Sequence, residues 1–185
     1  MSENIISQTV LLGNDKVGKS SFILRMPMST IICDLAHNMY MHKYFQSMKT
    51  KIFEFHILDR VQNWILSGSK RFKLLDTNIC FIICDITDMQ SIIDIDTWFN
   101  IAKTKFNATC QFFLIINKMD LFYDDQKMYV ENINFIESSM GHYNDIFNSI
   151  FKISSTDYTL YNIDDSKSLL EDIFMQITYN IQSDV

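Results

Sequence analysis

Thr9-Val-Leu-Leu-Gly-Asn-Asp-Lys-Val-Gly-Lys-Ser-Ser-Phe-Ile-Leu-Arg-Met26 decides how the rest of this chain is read. The apolar run Val10–Leu12 stops at Gly13; Gly18 follows five residues later, with Lys19 and Ser20 directly behind it. This is G-x-x-x-x-G-K-[ST] between an expected strand and an expected helix, the context the motif needs. Glycines at both ends let the backbone turn tightly, so that successive N–H groups converge on an anion. A helix starting near Gly18 adds the positive end of its dipole. Lys19 brings a point charge suited to the outer phosphates and Ser20 a hydroxyl suited to Mg²⁺. Asn14, Asp15, Lys16, Val17 and Ser21 complete the cradle. Two of the chain's four glycines stand where this loop needs them. The pattern predicts phosphate binding, with a nucleotide as the expected ligand.

Working outward, apolar runs alternate with helical spacing. Ile5–Leu12, Lys51–Leu58, Asn78–Cys84, Gln111–Ile116 and Ile150–Ile153 read as strands. Ile92, Ile95, Trp98, Phe99, Ala102 and Phe106 mark one amphipathic helix, and a further helix is expected between Asp124 and Tyr143. Leu169, Leu170, Ile173, Phe174, Ile177 and Ile181 mark a closing helix. Lys19 to about Met26 reads as a helix ended by Pro27, whereas Met28–Gln46 has no clear period. Continuous apolar strands alternating with helices predict a three-layer α/β fold. Its sheet is expected to be mostly parallel and six-stranded, with helices on both faces. Residues 1–185 are expected to form one domain. Ligands of such sheets sit beyond the carboxyl ends of the strands. Gly13–Ser20, Asp59, Asn117–Asp120 and Ser154–Thr156 all fall there.

Composition narrows the classes. With 48% apolar and 21% charged residues the chain is expected to fold. A net charge of −6 and scattered lysines and arginines argue against a nucleic-acid surface. No apolar run reaches the ~20 residues that span a bilayer. The beginning lacks the features of a signal peptide, and neither a myristoylation glycine nor a prenylatable cysteine is present, so no intrinsic lipid anchor is expected. Cys33, Cys80, Cys84 and Cys110 form no C-x-x-C pair, and buried free thiols fit a cytoplasmic setting. His37, His42, His56 and His142 are too scattered for a metal or acid–base site.

Asn117-Lys118-Met119-Asp120, directly after an apolar strand, is an N-K-x-D pattern. With the glycine loop, it makes the sequence resemble the Ras superfamily of small GTPases, on its Rab-like side, over essentially the whole length. The chemistry agrees: the Asp120 carboxylate can accept from guanine N1–H and the exocyclic amine, a donor pair adenine lacks. The resemblance implies GTP/GDP and Mg²⁺ as cofactors. It implies that Asn117 braces the loops, that the Lys118 stem lies along the base, and that the loop at Ser154, Ser155 and Thr156 offers an N–H to the guanine oxygen. It assigns Ser20 and Asp59 to the metal. Protein effectors, an exchange factor, an activating protein and a monomeric state come with the family. Shorter stretches resemble the septum-initiation GTPases of fungal mitotic-exit signalling: Asp85-Ile86-Thr87-Asp88, Trp98-Phe99, Phe106-Asn107-Ala108-Thr109 and Asp120-Leu121-Phe122-Tyr123-Asp124. By that likeness, partners recruit the chain to membranes or spindle-pole structures.

The sequence departs from the family at its switches. The threonine expected about eighteen residues beyond Ser20 falls on Asn38, and no Ser or Thr lies between Ile31 and Gln46. Ile31 stands near the place of the aromatic that packs beside the base. Where the family reads D-x-x-G-Q, this chain has Asp59-Arg60-Val61-Gln62-Asn63. Gln62 cannot freely adopt backbone geometry reserved for glycine, and Asn63 is one methylene shorter than the water-orienting glutamine. These two are the candidate catalytic positions. Asp15 brings negative charge towards the terminal phosphate. Two readings follow: a small GTPase that hydrolyses slowly or with helper proteins, and a pseudo-GTPase scaffold that holds nucleotide, or none. An ATP-using enzyme is disfavoured by Asp120.

Overall fold

The computed structural model describes residues 3–24, 30–34, 39–48, 51–59, 65, 77–156, 159–161, 167–169, 173–175 and 177–178. Five parallel strands make its centre: β1 (Glu3–Leu12), β4 (Lys51–Asp59), β5 (Thr77–Asp85), β6 (Gln111–Asn117) and β7 (Ser149–Ser154). β1 lies between β4 and β5, so the chain leaves the first strand at the middle of the sheet. The expected parallel α/β sheet is therefore present, and it is wider than six strands. β2 (Thr30–Asp34) and β3 (Met39–Met48) pair antiparallel on the β4 side; β8 (Thr159–Tyr161) and β9 (Lys167–Leu169) do so beyond β7.

Alternation along the strands divides the core into two layers. Leu11, Phe55, Ile57, Ile79, Phe81, Ile83, Phe113 and Ile115 face one side, where Phe22 and Ile23 of α1 (Lys19–Leu24) and Ile173, Phe174 and Ile177 cover them. Phe174 touches Phe55 and Phe81 at centroid distances of 4.9 and 5.8 Å. A buried ring of this kind contributes about 1.5–3 kcal/mol. Val10, Leu12, Cys80, Ile82, Cys84, Leu114 and Ile116 face the other side. That side is covered by α2 (Met89–Ile93), α3 (Ile95–Lys105) and α5 (Val130–Ile146); the short α4 (Met119–Asp124) follows β6 directly.

Three elements differ from the reading of the sequence. The amphipathic pattern from Ile92 to Phe106 is split at Asp94 into α2 and α3. Part of the unpatterned stretch Met28–Gln46 pairs as strands. Leu169 belongs to β9 rather than to the closing helix, whose buried Ile173, Phe174 and Ile177 are as expected. Most of Val61–Leu75, together with Pro27, Ala36, His37, Asn38, Gln62, Asn63 and Ile181, lies outside the described residues.

Candidate functional site

Register places the chemistry on one edge. Asp85 and Asn117 are paired partners at the ends of β5 and β6, and Asp59 and Ser154 end β4 and β7. Gly13 follows β1 at φ 139° and Gly18 has φ 100°. A Cβ on Gly13 would lie 2.1 Å from the Ile83 carbonyl oxygen, and one on Gly18 would lie 2.2 Å from Asn117 Nδ2. Both positions need glycine for space as well as for conformation. Lys16 adopts the left-handed region at φ 67°, bending the loop between them.

Lys19 is buried, and its ammonium donates to the carbonyls of Gly13 (3.0 Å) and Asn14 (2.5 Å). It is thus held across the loop by the loop's own backbone. Ser20 is half-buried at the start of α1; Asp15, Lys16 and Ser21 are exposed. Asn14 has a second role that the sequence did not reveal. Its Nδ2 donates to Asp94 and its Oδ1 accepts from the Trp98 indole, both at 2.8 Å.

Asn117, fully buried, is the hinge pin between loops. Its Nδ2 donates to the Val17 carbonyl (2.8 Å) and to Ser155 Oγ (3.0 Å), and its Oδ1 accepts from the Ser155 N–H (3.0 Å). These are the contacts of the residue from which a bracing role is expected. Thr156 N–H in turn meets Ser154 Oγ at 3.2 Å. The N–H groups of Ser155 and Thr156 therefore both have acceptors within the protein, and the Ser154–Thr156 contact to a base requires one of them to be shared.

Lys118 has φ 64° and pairs its ammonium with Asp85 Oδ2. Asp85 is buried, and its Oδ1 accepts from the backbone N–H (2.9 Å) and hydroxyl (2.7 Å) of Thr87. Asp85 stands outside both sequence motifs. Its place at the end of an apolar strand, level with Asn117, is the signal that finds it. Asp120 differs: its Oδ1 is buried without a hydrogen-bond partner. Buried carboxylate oxygens are rarely left so. An orphaned acceptor three residues past Asn117, which is itself bonded to the glycine loop at the Val17 carbonyl, fits a ligand that offers N–H donors at one end and phosphates at the other. Of the two residues expected at a metal, Ser20 lies in the first turn of α1 and the backbone carries Asp59 to the end of β4; among the described residues no cluster of three or more His, Cys, Asp or Glu could hold a metal.

The Ras-family model matches residues 8–152, which runs from β1 to β7 and includes both motifs. The chain belongs to the Ras family. Among its relatives, the GTP-binding protein YPTM1 of Zea mays is 26% identical over 124 residues, covering 60% of this chain and 55% of that protein. The Ras-related protein SEC4 of Candida albicans is 24% identical over 123 residues, covering 63% and 57%. A probable Rab-related GTPase of Acanthamoeba polyphaga mimivirus is 25% identical over 128 residues, covering 64% and 57%. This Ras-family chain thus has Rab-like relatives and spans a little over half the length of each.

Proposed function

We propose that this chain is a guanine-nucleotide-binding, small-GTPase-like switch acting in signalling or trafficking, built as one domain and read by protein partners. The observation that carries the proposal is the unpartnered, buried Asp120 Oδ1, in a loop that Asn117 ties to the phosphate loop. Guanine supplies the two donors that a carboxylate of this kind accepts, and adenine does not. When bound, GTP supplies a transferable terminal phosphoryl group and Mg²⁺ neutralises charge on it.

The chain's own residues then divide the work. Lys19, held by two carbonyls, presents fixed positive charge to the phosphates, and Ser20 with Asp59 would hold Mg²⁺. Asn117 keeps the base loop and the phosphate loop in one register, and Asp85 keeps Lys118 at the base end. Hydrolysis is slow or depends on helper proteins, because Gln62 and Asn63 stand where the family has glycine and glutamine. Positioning supplies most of the rate in phosphoryl transfer. The same two residues favour a second reading, a pseudo-GTPase scaffold. Recruitment to membranes would come from partners; no helix among the described residues is long and apolar enough to cross one.

The test is the nucleotide that copurifies with the protein, followed by turnover of labelled GTP over hours. Bound GDP with slow turnover supports the switch. GTP that persists, or GDP that GTP cannot replace, supports the scaffold. A site that ignores both nucleotides removes the proposal.

A further inference from the structure

Asn14 stands at a crossing. Its backbone carbonyl holds the Lys19 ammonium, and its side chain leaves the loop for the junction of α2 and α3. Both ends of the carboxamide are engaged there. The Trp98 indole N–H is only a donor and must meet Oδ1; the Asp94 carboxylate is only an acceptor and must meet Nδ2. Asp94 is fixed in turn, since its Oδ1 accepts from Gln90 Nε2 at 2.9 Å and its N–H meets the Gln90 carbonyl at 3.0 Å. The Asp94 carbonyl then accepts from the Trp98 N–H at 3.0 Å. Trp98 itself is 9% exposed.

We propose that Asp94 and Trp98 are positioning residues for phosphate binding. Through Asn14 they set the backbone of the loop at Gly13–Val17, and so the point from which Lys19 acts. The inference rests on the nucleotide-binding reading above and adds to it a third element behind the loop. Docking of α3 does not account for the triad. Ile95 and Ala102 already anchor that helix with no exposed surface, and an apolar contact would serve packing as well as a buried polar one. The break at Asp94, which interrupts a pattern otherwise suited to one helix, delivers a carboxylate to the loop at the position where it is needed.

The test is calorimetric titration of nucleotide-stripped protein with GDP and with GMP, for the wild-type chain, Trp98→Phe, Asn14→Ala and the double variant. The loop and its lysine serve the outer phosphates. Each single variant is therefore expected to weaken GDP about tenfold, the worth of one well-placed hydrogen bond, with GMP unchanged. The double variant is expected to equal either single one, because both remove the same tether. Equal losses for GDP and GMP, additive losses, or no loss at all would overturn the inference and leave the nucleotide reading intact. A wild-type chain that binds neither nucleotide would sink that reading, and the inference with it. If the variants do not fold, a Trp64→Phe chain isolates the Trp98 indole N–H resonance. That signal is expected to shift on saturation with GDP and not with GMP; a signal unmoved by GDP overturns the proposal.

Discussion

Asp120 is the residue on which base recognition turns, because one of its oxygens is buried and unpaired. Asp120→Asn replaces an acceptor by a donor on one side and leaves two guanine donors competing for one oxygen. Affinity for GDP is expected to fall by about 2–4 kcal/mol, measured by titration; an unchanged isotherm would refute the assignment. Gly18 makes a sharper case. At φ 100°, with Asn117 Nδ2 2.2 Å from where a Cβ would sit, Gly18→Ala both strains the backbone and dislodges the brace. A stability loss of at least about 2 kcal/mol in urea is expected, together with loss of GDP binding. What the sequence conveyed at this scale was residue type against spacing: two glycines, a lysine, an asparagine and an aspartate. It did not convey where polar side chains turn. Asn14 reads as a phosphate-loop residue and spends its side chain on α3, while Lys118 finds Asp85, 33 positions earlier in the chain.

The five parallel strands were legible from apolar runs or, in β4, from apolar–polar alternation, and four of them end at Asp59, Asp85, Asn117 or Ser154 while β1 stops just before Gly13. β2 and β3 were not, since nothing in the Met-, His- and Tyr-rich stretch fixes a period. The division of α2 from α3 was hidden for a different reason: Ile92 and Ile95 keep helical spacing across the break, so hydrophobic pattern alone joins them. Caps carry the missing information. Asp88 accepts from Gln90 N–H at 3.1 Å to start α2, and Asp94 both ends it and leads into α3. α5 offers a clean test of helix propensity. Gly141 lies inside this helix, exposed, and a Cβ there would meet nothing within 4 Å. Gly141→Ala is expected to stabilise the chain by about 1 kcal/mol, read from the urea midpoint, without changing GDP affinity. A destabilised Gly141→Ala variant would mean that α5 is packed against something at that face.

Across the molecule, one of the two apolar layers buries groups that ionise only in alkali. Burial pushes the Cys110 thiol up to about 12 and, with Asp96 nearby, the Tyr143 phenol up to about 12; it raises Cys80 and Cys84 as well. Each of these groups is neutral when protonated, and folding favours that form. Their ordinary values are 9.0 for the thiols and 10.0 for the phenol. The unfolded chain thus gives up its protons first. Stability is unaffected by these groups below pH 9, and it falls as pH rises from there through the folded-state values near 12. Urea midpoints measured from pH 8 to pH 12 are expected to be flat as far as these groups go, then to drop. The same burial makes the thiols poor nucleophiles, since the thiolate is the reactive form. In a Cys33→Ser background, which leaves only these three, a thiol reagent at pH 8 is expected to react no faster than the chain unfolds. Adding denaturant should release all three together, because Cys80, Cys84 and Cys110 belong to one layer of the core. A thiol that reacts quickly under native conditions would show that this layer opens locally, and the alkaline loss of stability would then begin at that cysteine rather than across the whole sheet.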